Sequence, residues 1–304
     1  MSDIDFAFQR YFGPAPRYPL VQGYMAPLRG LISIAGPCSV ESADQIHEIA
    51  SVLGGLGVKY LRGGVFRAGT YPGQKFGWVD ETLVSEFARA AHDNGMKTII
   101  EILDYHPDSL LKFAKYADCY QVGARQMQNY TLLRVLGASK RTVFLKRHPG
   151  STMDEFLGSA EHLLKGGLCD PVLIERGSST HMNHVRWDLS LSIIPAIQAI
   201  TKIPVVVDAS HGTGRSDLVE AMTYAGIAAG ANGFLVETHP NPLQSLSDPQ
   251  QAYALEKFER FFGNIKILHE FVKTWQAPAS TYSTSSTQTV SASQASISTT
   301  GDKP

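Results

Sequence analysis

Residues 204–211 read PVVVDASH, and this short stretch decides the fold. Its three consecutive valines form an apolar run that is typical of a strand buried on both faces of a parallel sheet. Two polar residues, Asp208 and His211, follow where the run ends. Seven other β-rich runs share this pattern, namely LISIAGPCS, KYLRGG, KTIIEIL, CYQVGA, TVFLKRH, PVLIERG and GFLVETH.

Stretches with helical spacing follow these runs, as in SADQIHEIASVLGGLG, DETLVSEFARAAHDNG and TMDEFLGSAEHLLKGG. Eight strand–helix units in about 245 residues predict an α/β fold, the (β/α)8 TIM barrel, built as a single domain. A doubly wound sheet is disfavoured because it usually carries GxGxxG after its first strand, where this chain has IAGPCS.

The barrel is expected to span residues 30–275, with a different kind of segment on each side. Residues 1–29 are rich in proline and predict an irregular N-terminal extension. Residues 277–304 consist mostly of Ser, Thr, Ala and Gln and predict a disordered tail, because such a composition buries too little apolar surface to offset its ordering entropy.

Composition narrows the possible partners of this 304-residue chain. Its formal net charge is -1, which argues against nucleic acid and against an anionic membrane surface. No apolar run reaches the roughly 18 residues that a membrane span needs. The three cysteines, Cys38, Cys119 and Cys169, are an odd number without CxxC spacing. We therefore expect a reducing compartment and a cytoplasmic protein.

Polar residues cluster at the ends of all eight predicted strands. They are Cys38, Arg62, Glu101, Asp104, Arg125, Lys146, Arg176, Asp208, His211, Glu237 and His239. The carboxyl ends of barrel strands converge on one mouth, where the active sites of this fold lie. The whole set therefore indicates a functional site rather than a series of solvated turns.

One group at this mouth is cationic: Arg62, Arg125, Lys146 and Arg176. Such a concentration of positive charge, in a chain of net charge -1, predicts a phosphorylated or carboxylated small-molecule substrate. A lysine among cations can also act as an acid or base. Arg147 follows Lys146 on the same strand, so its side chain should point the other way and be structural.

A second group at the mouth has the donor atoms of a metal site: Cys38, His211, Glu237 and Asp248. A thiolate, an imidazole and two carboxylates suit a borderline divalent metal such as Mn, Fe, Co or Zn. Taken singly, each residue has a simpler explanation, such as packing for Cys38 or a helix N-cap for Asp248. Only their shared position at the mouth favours a metal.

Several motifs, in this order, closely resemble those of the 3-deoxy-D-arabino-heptulosonate 7-phosphate (DAHP) synthases, in the branch shared with 3-deoxy-octulosonate 8-phosphate (KDO8P) synthase. They are AGPCSVES, LRGG, QVGARQMQNY, FLKR, ERG, VDASHGTGRSDL and VETHPNPLQSLSDPQQ, and the resemblance covers about residues 29 to 270. It implies a metal-dependent TIM-barrel transferase that condenses phosphoenolpyruvate with an aldose and releases phosphate, in aromatic amino acid biosynthesis by the shikimate pathway or in a related pathway.

The resemblance also implies residue roles. Phosphoenolpyruvate would contact Arg62, Glu101, Ala124, Arg125, Lys146 and Arg176. A divalent metal, manganese among the options, would be held by Cys38, His211, Glu237 and Asp248. Catalytic proton transfers fall to Lys146 and His211, and acceptor contacts to Arg67, Thr70 and Asp248. A homo-oligomer, dimer or tetramer, is expected on the same ground.

Two segments depart from the family pattern on the acceptor side. The usual Lys-Pro-Arg-Thr-Ser-Pro is replaced by RAGTYP at residues 67–72, so Gly69 stands where a phosphate-binding arginine is usual. The usual ERGIRT reads ERGSST, which replaces a second arginine with Ser179. A charged phosphate contact is worth ~1.5–3 kcal/mol, so both changes should weaken erythrose 4-phosphate binding.

Several functions therefore stay open. The chain is either a DAHP synthase with a rearranged phosphate site or a related condensing enzyme with a different acceptor, such as that of KDO8P synthase. A metal aldolase that does not use phosphoenolpyruvate is a further enzymatic alternative. A non-catalytic barrel that binds sugar phosphates is the alternative from another class. Release of phosphate during turnover separates the condensing enzymes from the metal aldolase and the binding protein, and kinetics with a panel of aldoses identify the acceptor.

Overall fold

The computed structural model describes residues 18–27, 30–67, 77–103 and 114–275, and of residues 66, 67, 77 and 78 only the backbone. Eight parallel strands close into a barrel, as the sequence predicts. They are β1 (Ile32–Gly36), β2 (Tyr60–Arg62), β3 (Lys97–Glu101), β4 (Cys119–Val122), β5 (Thr142–Lys146), β6 (Asp170–Glu175), β7 (Val205–Asp208) and β8 (Gly233–His239).

Each strand pairs with the next strand of the barrel along the chain, and β1 pairs with β8 to close it. The closing register places Ile32 opposite Gly233 and Gly36 opposite Glu237. Gly233 is required at this seam, because a Cβ atom there would lie 2.0 Å from the carbonyl oxygen of Ile32. The polar residues at the ends of neighbouring strands are therefore brought to one side of the barrel.

Helices surround the strands. They are α1 (Pro19–Gly23), α2 (Ala43–Gly55), α3 (Glu81–Asp93), α4 (Tyr130–Gly137), α5 (Met153–Leu164), α6 (Ile193–Gln198), α7 (Ala209–Thr213), α8 (Ser216–Ala228) and α9 (Phe258–Trp275). Local sequence sets their starts. Thr152 and Glu155 form a capping box before α5, and the Ser42 side chain caps α2.

Shorter elements complete the described chain. Phe66–Arg67 and Gly77–Trp78 pair as a two-stranded antiparallel sheet, and Tyr253–Ala254 adds to the end of β8. Three 3-10 turns lie at Ala124–Gln126, Pro242–Gln244 and Leu255–Lys257.

The core has two layers. The interior of the barrel is filled by a cluster of buried side chains: Ile32, Ile34, Tyr60, Ile99, Cys119, Phe144, Val172, Ile174, Val206 and Leu235. A larger cluster packs the outer faces of the strands against the helices. Because the interior is packed with side chains, it is not a pore, and any ligand must bind at one end of the barrel.

The N-terminal extension is not irregular throughout. Helix α1 packs against α5, where the backbone N–H of Val21 donates to Glu161 at 2.9 Å. Thr201 donates to the Val21 carbonyl at 2.5 Å, so this segment is tied to the barrel at two points. The predicted disordered tail, residues 277–304, lies outside the described residues.

Candidate active site

The mouth of the barrel brings most of the sequence-predicted site residues together. Arg62, Glu101, Lys146, Arg176, Asp208, His211 and Glu237 all lie at or just beyond the carboxyl ends of their strands. Three of the cations, Arg62, Lys146 and Arg176, are only 4–6% exposed, which is unusual for charged side chains. The mouth of the barrel thus holds these buried cations close to the buried carboxylates of Asp208 and Glu237.

Arg62 is held by two acceptors, a carbonyl just beyond the end of β1 and a carboxylate on β8. Its Nη1 donates to the Pro37 carbonyl at 2.7 Å and to Glu237 Oε1 at 2.9 Å. Burial would raise the pKa of Glu237, but His211 and Arg62 outweigh it and hold that pKa well below its usual range. Glu237 is therefore ionised, and its charge keeps the guanidinium at the centre of the mouth.

The two glycines after Arg62 are required by close packing against the loop that follows β1. A Cβ at Gly63 would lie 2.7 Å from Val40 Cγ2, and one at Gly64 would lie 2.5 Å from the Cys38 carbonyl oxygen. The Gly64 N–H also donates to that carbonyl at 3.1 Å. These glycines therefore let the loop carrying Cys38 pack against the turn carrying Arg62.

His211, Asp208 and Lys146 form a compact charged group. The Nδ1 atom of His211 lies 2.8 Å from Asp208 Oδ2, and Lys146 Nζ lies 3.0 Å from the same oxygen. Burial raises the pKa of Asp208, but His211 and Lys146 lower it more strongly, well below its usual range. The sequence marked Asp208 as a strand-end residue without giving it a role, and the structure places it between both predicted catalytic residues.

Gln251 is a site residue that sequence reasoning missed. Its side chain is fully buried and its Nε2 donates to Glu237 Oε2 at 2.5 Å, so both oxygens of that carboxylate are held. Arg186 reaches Gln251 Oε1 at 3.5 Å from the loop after β6. Gln251 is the last residue of the motif VETHPNPLQSLSDPQQ, but no role was assigned to it, because its contact depends on how the chain folds back after β8.

Arg176 differs from the other two buried cations. Its Nη2 donates to the His211 carbonyl at 3.2 Å, and its guanidinium lies 5.7 Å from the Trp187 ring centroid. No carboxylate within the described residues lies within ion-pair distance, and its Nε has no hydrogen-bond partner there. Burial lowers the pKa of Arg176 to about 10, with Asp208 opposing and Arg186 adding to the shift.

The side of the mouth formed by β3 and β4 is built around Glu101. Gln121 Nε2 donates to Glu101 Oε2 at 2.7 Å. Gly123 leaves room for this carboxylate, since a Cβ there would lie 2.2 Å from Glu101 Oε1. Ala124 and Arg125 follow in a short 3-10 turn, where Arg125 is exposed to solvent. Its side chain is therefore free to meet a ligand at the rim.

Arg147 points away from the mouth, as its position after Lys146 predicts. It pairs with Glu175 through two hydrogen bonds of 2.5 and 3.0 Å, and both side chains are buried. It also donates to the Ser151 carbonyl at 2.9 Å and to the Ser178 hydroxyl. These contacts join β5, β6 and the loops that follow them, so the prediction of a structural role is confirmed.

The four predicted metal ligands lie as two pairs. Cys38 Sγ is 3.6 Å from Asp248 Oδ2, and His211 Nε2 is 3.1 Å from Glu237 Oε1. A sulfur and an oxygen bound to one tetrahedral ion, at ~2.3 and ~2.1 Å, lie about 3.6 Å apart, so the first pair fits a shared ion. Burial, with Glu237 adding to it, raises the pKa of the Cys38 thiol well above its usual value.

The four side chains suit a divalent metal in their donor atoms and in the distances within each pair. Within the described residues, no group of three or more His, Cys, Asp or Glu side chains is already gathered as a metal site. The helix N-cap alternative for Asp248 is wrong, because residues 249–251 form a turn and not a helix. Asp248 instead has a positive φ of 47°, a strained conformation that turns the loop back toward Cys38.

The predicted acceptor contacts are only partly within the described chain. Thr70 and the departing residues 68–72 lie outside it, and of Arg67 only the backbone is described. Ser179 is exposed, and its N–H donates to the Pro149 carbonyl at 2.9 Å. The acceptor roles of Arg67, Thr70 and Asp248 therefore stay predictions.

The geometry can be compared with known proteins. The model of the DAHP synthetase I family matches residues 29–274, which is most of the chain. The chain belongs to the DAHP synthetase I family. The predicted resemblance is confirmed, and with it an enzyme of the DAHP synthase type on a TIM barrel.

One relative in this family is the phospho-2-dehydro-3-deoxyheptonate aldolase of Thermotoga maritima, which is 42% identical over 235 residues. That match covers 77% of this chain and 69% of the relative. A crystal structure of the Thermotoga DAHP synthase is similar with a TM-score of 0.76 at 40% identity, covering 80% of this chain and 71% of that one. A truncated form of the Thermotoga enzyme gives 0.73 at 38% identity, covering 80% of this chain and 87% of that one.

Proteins named 2-dehydro-3-deoxyphosphooctonate aldolase are also similar, at lower identity. The 2-dehydro-3-deoxyphosphooctonate aldolase of Azoarcus sp. is 26% identical over 262 residues, which is 79% of this chain and 91% of that protein. The heptonate relative is thus the more similar of the two. Among the described residues, no helix combines the length and apolarity that crossing a membrane requires.

Proposed function

We propose that this chain condenses phosphoenolpyruvate with erythrose 4-phosphate and releases inorganic phosphate. The observation that carries the proposal is Arg176, a buried guanidinium with no carboxylate partner among the described residues. A buried cation without a counter-ion is destabilising, and an anionic ligand removes that penalty. Phosphoenolpyruvate carries a phosphate and a carboxylate, and so suits Arg176 together with Arg62 and Lys146.

The residues of the mouth suit this reaction. Arg62, Lys146 and Arg176 would hold both anionic groups of phosphoenolpyruvate and fix its C3 atom toward the aldehyde. C3 then bonds to the aldehyde carbon, and the aldehyde oxygen gains a proton. The C2–C3 π pair forms this new bond, water adds its oxygen to C2, and the C2–O bond to the phosphate breaks with its electron pair leaving on phosphate. The oxygen of the water becomes the C2 ketone, and its two protons pass to the aldehyde oxygen and to the phosphate. Lys146 would move the proton on the phosphoenolpyruvate side and His211 the one on the acceptor side.

A divalent metal, Mn, Fe, Co or Zn, is part of the proposal. The donors that would hold it are Cys38, His211, Glu237 and Asp248, which supply one sulfur, one nitrogen and two carboxylates. Such a metal supplies Lewis-acid polarisation of an aldehyde oxygen. Cys38 would have to lose its proton on binding it, so metal uptake should release acid.

The acceptor is erythrose 4-phosphate because the more similar relative, at 42% identity, is named as the heptonate enzyme. A second candidate is a different aldose, such as arabinose 5-phosphate or an acceptor with less charge. Gly69 and Ser179 stand where the family usually has cations, which weakens the case for erythrose 4-phosphate. We further propose that the enzyme acts in the cytoplasm, in the shikimate pathway to aromatic amino acids, as a homo-oligomer.

Steady-state phosphate release by the purified chain tests the proposal. We expect release with phosphoenolpyruvate, Mn2+ and erythrose 4-phosphate, and its loss on treatment with EDTA. Arabinose 5-phosphate and unphosphorylated erythrose serve as competing acceptors. The variant Arg176→Gln should lose at least tenfold in kcat/KM for phosphoenolpyruvate, since a charge-assisted contact is worth ~1.5–3 kcal/mol. Arg260→Gln is the matched control, because Arg260 is an exposed residue of α9 that pairs with Glu220 of α8.

The outcomes separate the alternatives. Faster turnover of arabinose 5-phosphate than of erythrose 4-phosphate would identify arabinose 5-phosphate as the preferred acceptor. Carbon–carbon bond formation without phosphate release would point to an aldolase that does not use phosphoenolpyruvate. Binding of sugar phosphates with no turnover of any acceptor would leave a binding protein and defeat the proposal.

A further inference from the structure

The carboxylate of Asp208, at the end of β7, is the most heavily shared group in the mouth. It is fully buried. Its Oδ2 atom lies 3.0 Å from Lys146 Nζ and 2.8 Å from His211 Nδ1. Its Oδ1 atom accepts from the backbone N–H of His211 at 3.0 Å. One side chain thus contacts both residues to which the proposed reaction gives proton transfers.

The two donors on Asp208 are close to each other. Lys146 Nζ and His211 Nδ1 lie 3.3 Å apart. When Nδ1 carries its proton, the imidazole and the ammonium both need an acceptor, and the carboxylate of Asp208 accepts from both with its two oxygens and its negative charge. An asparagine of the same shape would turn an NH2 group toward one of these donors. The site therefore depends on the charge of Asp208 as well as its volume.

The contact with Asp208 also sets the direction of the His211 ring. With Nδ1 held on Asp208, the opposite ring atom Nε2 faces Glu237 Oε1 at 3.1 Å. A hydrogen bond from one imidazole nitrogen to a carboxylate fixes the orientation of the other and increases its basicity as a ligand. Asp208 thus orients Nε2 toward Glu237 and the proposed metal position. It also holds Lys146 beside the other cations that are proposed to bind phosphoenolpyruvate.

We propose that Asp208 is a positioning residue that joins the two halves of the site, holding Lys146 for phosphoenolpyruvate and His211 for the divalent metal. It contacts neither substrate. The expected effect of Asp208 on kcat rests on the proposed function. Its expected effect on metal binding does not, because metal binding is measured without turnover.

The test compares Asp208→Asn with Glu175→Gln. Glu175 is an equally buried carboxylate at the end of the neighbouring strand β6, where it pairs with Arg147 on the outside of the barrel. Both substitutions remove a buried negative charge and keep the side-chain shape. Mn2+ affinity is measured without substrate from the electron paramagnetic resonance signal of free Mn2+. Steady-state kinetics give kcat and KM, and circular dichroism gives Tm.

We expect Asp208→Asn to weaken Mn2+ binding about 10- to 100-fold, as loss of an outer-shell partner typically does. Its kcat should fall by about 100-fold or more, while KM for phosphoenolpyruvate changes less, because the proton-transfer group is misplaced. Glu175→Gln should lower Tm at least as much as Asp208→Asn does, but its Mn2+ affinity and kcat should stay within about threefold of the wild type. Asp208→Glu retains the charge and should recover about tenfold of the kcat lost in Asp208→Asn.

Equal Mn2+ affinity and kcat in the Asp208→Asn variant and the wild-type protein would overturn the proposal. So would a Glu175→Gln variant with the same losses, because the effect would then be one of general stability. If Asp208→Asn does not fold, Asp208→Glu decides: wild-type kcat and Mn2+ affinity contradict positioning, and a tenfold loss at near wild-type Tm supports it. A wild-type protein that binds Mn2+ but releases no phosphate defeats the proposed function and leaves the metal comparison intact.

Discussion

Lys146 and Arg147 are neighbours on the chain, and both are almost completely buried cations that pair with a fully buried carboxylate. Lys146 pairs with Asp208 inside the mouth, and Arg147 pairs with Glu175 on the outer face of the strands. By burial and by charge pairing the two residues are alike. Their positions on opposite faces of β5 and its extension give them different surroundings.

The difference lies in how completely each carboxylate is occupied. Besides Arg147, Glu175 Oε1 accepts from the backbone N–H of Gly177 at 2.9 Å and of Ser190 at 3.2 Å. All of these partners are structural groups outside the mouth of the barrel. Asp208 instead divides its charge between Lys146 and His211, whose remaining atoms face the mouth. A buried ion pair alone does not indicate function, whereas one whose partners remain available to a ligand does.

The largest effect we expect is that of Lys146→Met, which keeps the length of the side chain and removes its charge. kcat/KM for phosphoenolpyruvate should fall about 10³-fold or more, because an anion contact and a proton-transfer group are lost together. Phosphate release measures it. Lys97→Met, at the opposite end of the barrel where the side chain is exposed, is the control. Activity of Lys146→Met within tenfold of the wild type would show that Lys146 is not a proton-transfer group.

Arg147→Met should act on stability and not on chemistry. It leaves Glu175 buried without its main partner, and breaking a buried pair in this way costs ~3–5 kcal/mol in free energy of unfolding. Urea denaturation at fixed protein concentration measures the loss. The kcat of the folded fraction should stay within about threefold of the wild type. A large fall in kcat with unchanged stability would reverse the roles of the two neighbours.

A smaller effect is expected at Gly123, on the other side of the mouth. In Gly123→Ala the new Cβ would lie 2.2 Å from Glu101 Oε1, so the carboxylate must move away from Gln121. We expect KM for phosphoenolpyruvate to rise about tenfold, equivalent to ~1.4 kcal/mol. Gly158→Ala within α5 is the control, because its Cβ would meet Tyr18 at an ordinary 3.6 Å. Unchanged KM would show that Glu101 is not part of the binding surface.

Much of this arrangement could be predicted because strand geometry is regular. Side chains alternate along a strand, so the opposite directions of Lys146 and Arg147 follow from their adjacency. Parallel strands of a barrel end on one side, so polar residues after eight apolar runs had to converge. The fold and the cations of the mouth were therefore readable from the chain.

The pairings within the mouth could not be read in the same way. Asp208 contacts Lys146 across two strand boundaries, and Gln251 reaches Glu237 from a loop. Such contacts depend on register and on loop path, which leave no periodic signal. The packing role of the LRGG glycines could not be read either: they make room for Val40 and the Cys38 carbonyl.

That backbone contact between the turn at Gly64 and the loop at Cys38 has an evolutionary consequence. Ser39 and Gly64 form a β-bridge, with the Val40 N–H donating back to the Gly64 carbonyl at 3.1 Å. The anchor lies before the point where this sequence leaves the family pattern at residues 67–72. Substitutions downstream of this contact are expected to leave the proposed phosphoenolpyruvate site undisturbed. We therefore expect that substitutions at residues 67–72 alone can change the preference for the acceptor sugar.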